Sequence, residues 1–146
     1  MPSIDEVAQY LHEEHGLAVV STVQADGRVL SSVVNCGVTD TAGLGPCVAF
    51  VSAGRAARLT HIRNGSEVTV AVRRGWRWRS VTGPATLIGP DDPADQFDAE
   101  ALRLLLREVF TAAGGTHDNW DEYDRVMRDE RRTAVFVKPV RVLGNY

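Results

Sequence analysis

The period of the apolar positions changes several times along the chain, and each change marks an element. In "PSIDEVAQYLHEEHG", Ile4, Val7 and Leu11 share one helical stripe, Ser3 and Glu6 have capping-box spacing, and Gly16 is a stop signal. "LAVVSTV" and "RVLSSVVNCGV" are rich in β-branched residues and flank "QADGR", where Asp26-Gly27 predicts a hairpin. After the loop "TDTAGLGP" comes a third strand, "CVAFVS". In "RAARLTHIRNG", Leu59 and Ile62 lie three apart before a glycine exit, which predicts a short helix. "EVTVAVRR" and "WRWRSVTGPATLIG" form a second hairpin around "RRGW"; alternation puts Trp76 and Trp78 on one face and Arg77 and Arg79 on the other. A proline-marked turn then enters a helix bearing Leu102, Leu105, Leu106, Val109 and Phe110. "HDNWDEYDRVM" reads as another short helix and "TAVFVKPVRVLGNY" as a last strand.

About six strands with three or four helices predict a mainly β, α+β class: a small antiparallel barrel with flanking helices outside. No repeat, low-complexity tract or linker divides residues 1–146, which read as one domain. With 44% apolar residues and a net charge of -3, the chain fits an ordinary globular protein. Its first residues are acidic where a secretion signal is basic, and no apolar run approaches bilayer length, so a cytoplasmic protein without membrane contact is expected. Cys36 and Cys47, with no metal-binding spacing, read as small core residues.

Dividing the charge changes the picture. Seven arginines and one acid, Glu67, lie between Arg55 and Arg79, whereas twelve acids and four arginines lie between Asp91 and Glu130. A short basic segment in an acidic chain points to a local anion site rather than to nucleic acid, for which no recognition motif is present. Of the four histidines, only His12 and His15 are helix neighbours, and no further ligands stand at a useful spacing, so no metal is expected. GxSxG and P-loop patterns are absent.

The basic segment is most concentrated in "SAGRAARLTHIRNG", where Arg55, Arg58 and Arg63 have no carboxylate between Asp40 and Glu67. They form either a solvated face or one side of an anion site. Arg55 and Arg58 fall at a strand-to-helix connection, and a guanidinium fork binds phosphate bidentately. Trp76 and Trp78 are core or dimer packing, or a planar partner for a ring beside such a site.

"GLAVVSTVQADGRVLSSVVNCGV … CVAFVSAGRAARLTHIRNGSEVTVAV … WRSVTGPATLIGPDD" resembles the pyridoxamine 5'-phosphate oxidase-like split β-barrel proteins, and among them the actinobacterial branch that uses the deazaflavin coenzyme F420. "HDNWDEYDRVMRDERRTAVFVKPVRVLG" is similar to the C-terminal part of that branch. The resemblance implies an F420-dependent oxidoreductase moving a hydride between the deazaflavin and an organic substrate. FMN-dependent chemistry on the same fold, or a non-catalytic cofactor carrier, are the alternatives. It also implies a homodimer with cofactor sites at the interface. "SSVVN" matches the stretch along the ring and implies Ser32, Val33 and Asn35. "VSAGRAAR" matches the strand end and basic turn around the phosphate and implies Val51, Ser52, Arg55 and Arg58. Trp78, and less directly Trp76, match an aromatic position contributed across the dimer. One departure is Ala56-Ala57, where relatives often carry a further basic residue. The cofactor carries the reactive atom in such chemistry, and no catalytic side chain is assigned.

Overall fold

The computed structural model describes residues 2–146. Helix α1 (Ile4–Glu13) begins at the expected capping box: Ser3 Oγ accepts from Glu6 N, and Glu6 Oε1 accepts from Ser3 N. It ends where His15 and Gly16 adopt positive φ angles. The strands are β1 (Leu17–Val23), β2 (Val29–Asn35), β3 (Gly37–Thr39), β4 (Cys47–Ser52), β5 (Val68–Arg74), β6 (Arg77–Gly83), β7 (Ala85–Ile88), β8 (Thr133–Val137) and β9 (Arg141–Gly144). Helix α2 (Ala57–Arg63) follows β4, and helices α3 (Ala99–Ala112) and α4 (Trp120–Asp129) lie between β7 and β8.

All neighbouring strands are antiparallel, in one sheet of order β2-β1-β5-β6-β9 and another of order β3-β4-β8-β7. The expected strands "RVLSSVVNCGV", "WRWRSVTGPATLIG" and "TAVFVKPVRVLGNY" each break in two, giving nine strands from six apolar runs. Each break is also the point where the chain changes sheet. Pro84 and Pro139 interrupt two of these runs, because proline cannot donate to a ladder. At the corners, a Cβ on Gly37 would collide with the Ala112 carbonyl, and one on Gly83 with the Lys138 carbonyl. Glycine there lets the α3 terminus and the β8–β9 corner approach the strands.

Val20, Val70 and Val81 of the larger sheet meet Val48, Phe50, Val135 and Val137 of the smaller in the central core, which α1 closes with Val7, Tyr10 and Leu11. Strands β4 and β8 are buried on both faces, since Cys47, Ala49, Ala134 and Phe136 pack under Leu105, Leu106 and Val109 of α3. Both cysteines are buried free thiols. The core alternative for the two tryptophans needs correction: Trp76 and Trp78 are exposed, as is Arg77 between them, whereas Arg79 is buried, 4% exposed. Its guanidinium donates to Glu6 Oε2 at 2.9 Å and to the carbonyls of Trp78 and Asn145 at 2.8 Å, and lies over the Tyr10 ring. The α1 carboxylate makes that burial tolerable. No helix among the described residues is long and apolar enough to cross a membrane.

Candidate functional site

Strand β4 ends at Ser52 and the chain turns through Ala53–Ala56 into α2, which places Arg58 in its first turn. The half-buried guanidinium reaches back to the sheets. Nη1 donates to Ser52 Oγ at 3.0 Å and Nη2 to Ser32 Oγ at 2.9 Å. Ser32 of one expected segment and Ser52 and Arg58 of another thus form one cluster. Among the described residues no carboxylate pairs with this guanidinium; hydroxyls are its only side-chain partners. Burial pulls its pKa below the ordinary value, which the neighbouring positive charge of Arg132 reinforces. Arg58 is a cation held in place without being neutralised.

Beside it opens a cavity of about 620 Å³, within the range of small-ligand sites. Val33, Asn35, Val51, Ala53 and Arg58 line one wall. Alternation along β2 turns Val33 and Asn35 to the opposite face from Ser32, so this short stretch serves both the cavity wall and the arginine cluster. Asn35 Nδ2 donates to the carbonyl of His15 at 3.0 Å, which fixes the amide at the cavity edge.

The opposite wall comes from α3, the loop after it and α4, which the sequence expectations did not include. Phe110, His117, Tyr123, Met127 and Arg132 line it. Phe110 and Tyr123 have ring centroids 4.9 Å apart, and Trp120 meets Tyr123 edge-on at 5.2 Å, an arrangement that rigidifies the wall. The backbone N–H of Asn119 donates to His117 Nδ1 at 3.0 Å, so the neutral ring carries its proton on Nε2. Tyr123 donates its hydroxyl to the Leu106 carbonyl at 2.9 Å, and burial pushes its pKa up to about 12. That hydroxyl is committed to the fold. Two arginines of α3 clasp Asp124 of α4: Arg107 through Nε to Oδ1 at 2.9 Å and Arg103 through Nη1 to Oδ2 at 2.9 Å. The hydrogen bond from Arg107, followed by that from Arg103 and by their charges, holds the Asp124 carboxyl below the usual range. The sequence signal for this wall was the aromatic spacing His117, Trp120, Tyr123.

Arg55 is exposed, and neither it nor Trp78 lines the cavity. Trp78 lies on β6, 40% exposed, with its backbone N–H donating to Asn145 Oδ1. Cys36, next to the cluster in sequence and fold, is held as a thiol because burial pushes its pKa up to about 12.

No protein-family model matches the chain. Solved structures do resemble it. A conserved hypothetical protein of Mycobacterium tuberculosis superimposes with a TM-score of 0.68 and 17% identity, over 99% of this chain and 84% of that one. A pyridoxamine 5'-phosphate oxidase-related, FMN binding protein of Nostoc punctiforme gives 0.65 and 16%, over 96% and 82%. The fold is the pyridoxamine 5'-phosphate oxidase-like split barrel. A structure named F420 reductase shares it, with a TM-score of 0.59 and 14% identity over 87% of this chain and 88% of that one. At such identities the likeness concerns the fold, and function has to be argued from the site.

Proposed function

We propose that this protein binds a phosphate-bearing flavin or deazaflavin and serves hydride transfer to or from an organic substrate. One observation carries the reading: the Arg58 guanidinium, braced by Ser32 and Ser52 and lacking a carboxylate, stands at a cavity sized for a small ligand. A cation partly withdrawn from water without a counter-ion is disfavoured unless an anion completes it. A phosphate is the anion whose geometry a guanidinium fork matches. The fold likeness to an FMN binding protein and to an F420 reductase supports the same ligand class.

In this reading Arg58 holds the phosphate, and Ser32 and Ser52 hold Arg58. Val33 and Val51 offer an apolar surface to the ring, and Asn35 offers a polar edge. Arg55 touches the outer side of the tail. When bound, the cofactor supplies the reactive hydride carbon; the protein supplies binding, orientation and exclusion of water. Coenzyme F420 is the cofactor proposed first and FMN second.

A second copy of the chain completes the site. The outer face of β1 and β2 carries Leu17, Val19, Val23, Val29 and Val33, each 43–66% exposed, and the register sets Val19 against Val33 and Val23 against Val29. The Ser21–Ser31 pair lies between these two valine pairs, and an exposed face with this much apolar area is a surface to be covered. Because Val33 belongs both to this face and to the cavity wall, the covering copy adjoins the cofactor, and Trp78 is its proposed contribution. An absorption and fluorescence titration of the pure protein with F420 and with FMN tests the reading, and saturable binding of one of them is expected. Failure to bind either overturns it. Turnover with an electron acceptor separates an oxidoreductase from a carrier.

A further inference from the structure

The turn before α2 brings no second cation into the cavity wall, since Arg55 is exposed off the cavity and positions 56 and 57 are alanines. The fold brings one from another segment. β4 and β8 pair with Ser52 opposite Thr133, so the next step of the register sets Ala53 beside Arg132. Gly54 N donates to the Glu130 carbonyl at 3.1 Å, which binds the end of α4 to this turn. Arg131, at φ 50°, reverses the chain there, and Arg132 enters the wall of the cavity that Arg58 also lines.

Arg132 is oriented but not used up. Its Nε and Nη2 both donate to one oxygen of Glu130, Oε1, at 2.9 and 2.6 Å, while Nη1 has no partner among the described residues. Glu130 is itself 47% exposed, so the pair is a surface clip rather than a buried neutralisation. The one carboxylate lining the cavity is Glu122, whose nearest cation is Arg125 at 4.0 Å. Two guanidiniums therefore approach one cavity, and the positive charge of Arg132 disfavours the ionised form of Arg58. Like charges so placed repel in the empty site and are relieved by a shared anion.

We infer that Arg132 is the second cation of the anion site and that Arg58 and Arg132 together hold a phosphate monoester. This inference rests on the phosphate-binding reading above and adds the charge of the ligand. A terminal monoester carries close to two negative charges near neutral pH, a diester one. Two guanidiniums match the former. The site so built discriminates by phosphate charge and ranks FMN, which bears a monoester, ahead of the cofactor proposed first.

The test uses the full-length protein, its Arg132→Ala and Arg132→Gln variants, and Arg58→Ala. Fluorescence titrations with FMN, with F420 and with riboflavin, which lacks the phosphate, are read beside thermal shifts in inorganic phosphate against chloride of equal ionic strength. Each arginine loss is expected to weaken FMN about ten- to a hundredfold while changing riboflavin less than about twofold. Phosphate should raise the Tm of the wild type and of neither arginine variant. If both Arg132 variants bind FMN and phosphate as the wild type does, while Arg58→Ala does not, Arg132 has no such role and the cofactor reading stands. If no flavin or deazaflavin binds, but phosphate stabilises the protein through both arginines, the two-arginine site stands and the cofactor reading fails. Absence of flavin, deazaflavin and phosphate binding in the wild type overturns both.

Discussion

The two ends of helix α2 present the same side chain in opposite circumstances. Arg63, near the C-terminal end, donates through Nε and Nη2 to both oxygens of Asp92 at 3.0 and 2.6 Å, closing a fork across 29 residues of sequence. Arg58, in the first turn, donates to two serine hydroxyls and to no carboxylate. The sequence shows both as arginines without acidic neighbours, and the fold supplies an acid to only one. The same sorting runs through the basic segment. Arg74 meets Glu13 at 2.5 Å and Arg79 meets Glu6, both on α1, so part of the apparent excess of positive charge is answered by the N-terminal helix. Arg63, Arg74 and Arg79 fasten elements together through carboxylates, whereas Arg58, which meets only hydroxyls, keeps its charge unpaired beside the cavity.

Substitutions that exchange or remove these partners sharpen the contrast. The largest effect is expected for Arg58→Ala, which removes a charge-assisted bond of about 1.5–3 kcal/mol and weakens cofactor binding about ten- to a hundredfold in a fluorescence titration. Its thermal midpoint should stay near that of the wild type. Asp124→Ala is expected to act first on stability. Losing the carboxylate that Arg103 and Arg107 share unfastens α4 from α3 and costs about 1–2 kcal/mol in denaturant unfolding. Because the folded-state pKa of Asp124 is depressed, this contribution is complete above its ordinary value of 3.8 and is lost as pH falls through the lowered folded value. The acid limb of the wild-type stability profile should therefore flatten in the variant.

Smaller still is Arg63→Ala, a loss of about 0.2–1 kcal/mol in stability with no change in cofactor affinity. A double-mutant cycle with Asp92→Ala should show that this loss belongs to the pair. Arg55→Ala, at an exposed position off the cavity, is expected to weaken binding less than Arg58→Ala and to leave stability within about 0.5 kcal/mol.

Much of the fold was legible because it rests on local chemistry. The Ser3–Glu6 capping box, the Asp26-Gly27 hairpin and the apolar stripe of α3 each act within a few residues. The corners were less legible. Apolar alternation runs through "RVLSSVVNCGV" without marking that Asn35 and Gly37 belong to different sheets, because what bends the chain there is the approach of the α3 carbonyl end. For the site, "SSVVN" and "VSAGRAAR" led to residues that do adjoin one another. The α3–α4 wall was missed for a physical reason. Its residues face the cavity only because Gly37 admits the end of α3 and Asp124 docks α4, and neither contact is local in sequence. The burial of Arg79 was not legible, because alternation gives its face but not the carboxylate waiting there on α1.

The most direct test of the account is the salt dependence of cofactor affinity in the wild type, Arg58→Ala and Arg63→Ala, measured side by side. Screening weakens an exposed charge contact, so affinity in the wild type and in Arg63→Ala should fall together as salt is raised, and more steeply than in Arg58→Ala, where one such contact is already missing. Equal affinities and equal salt slopes in all three proteins would contradict the account and make Arg58 a solvated arginine like any other.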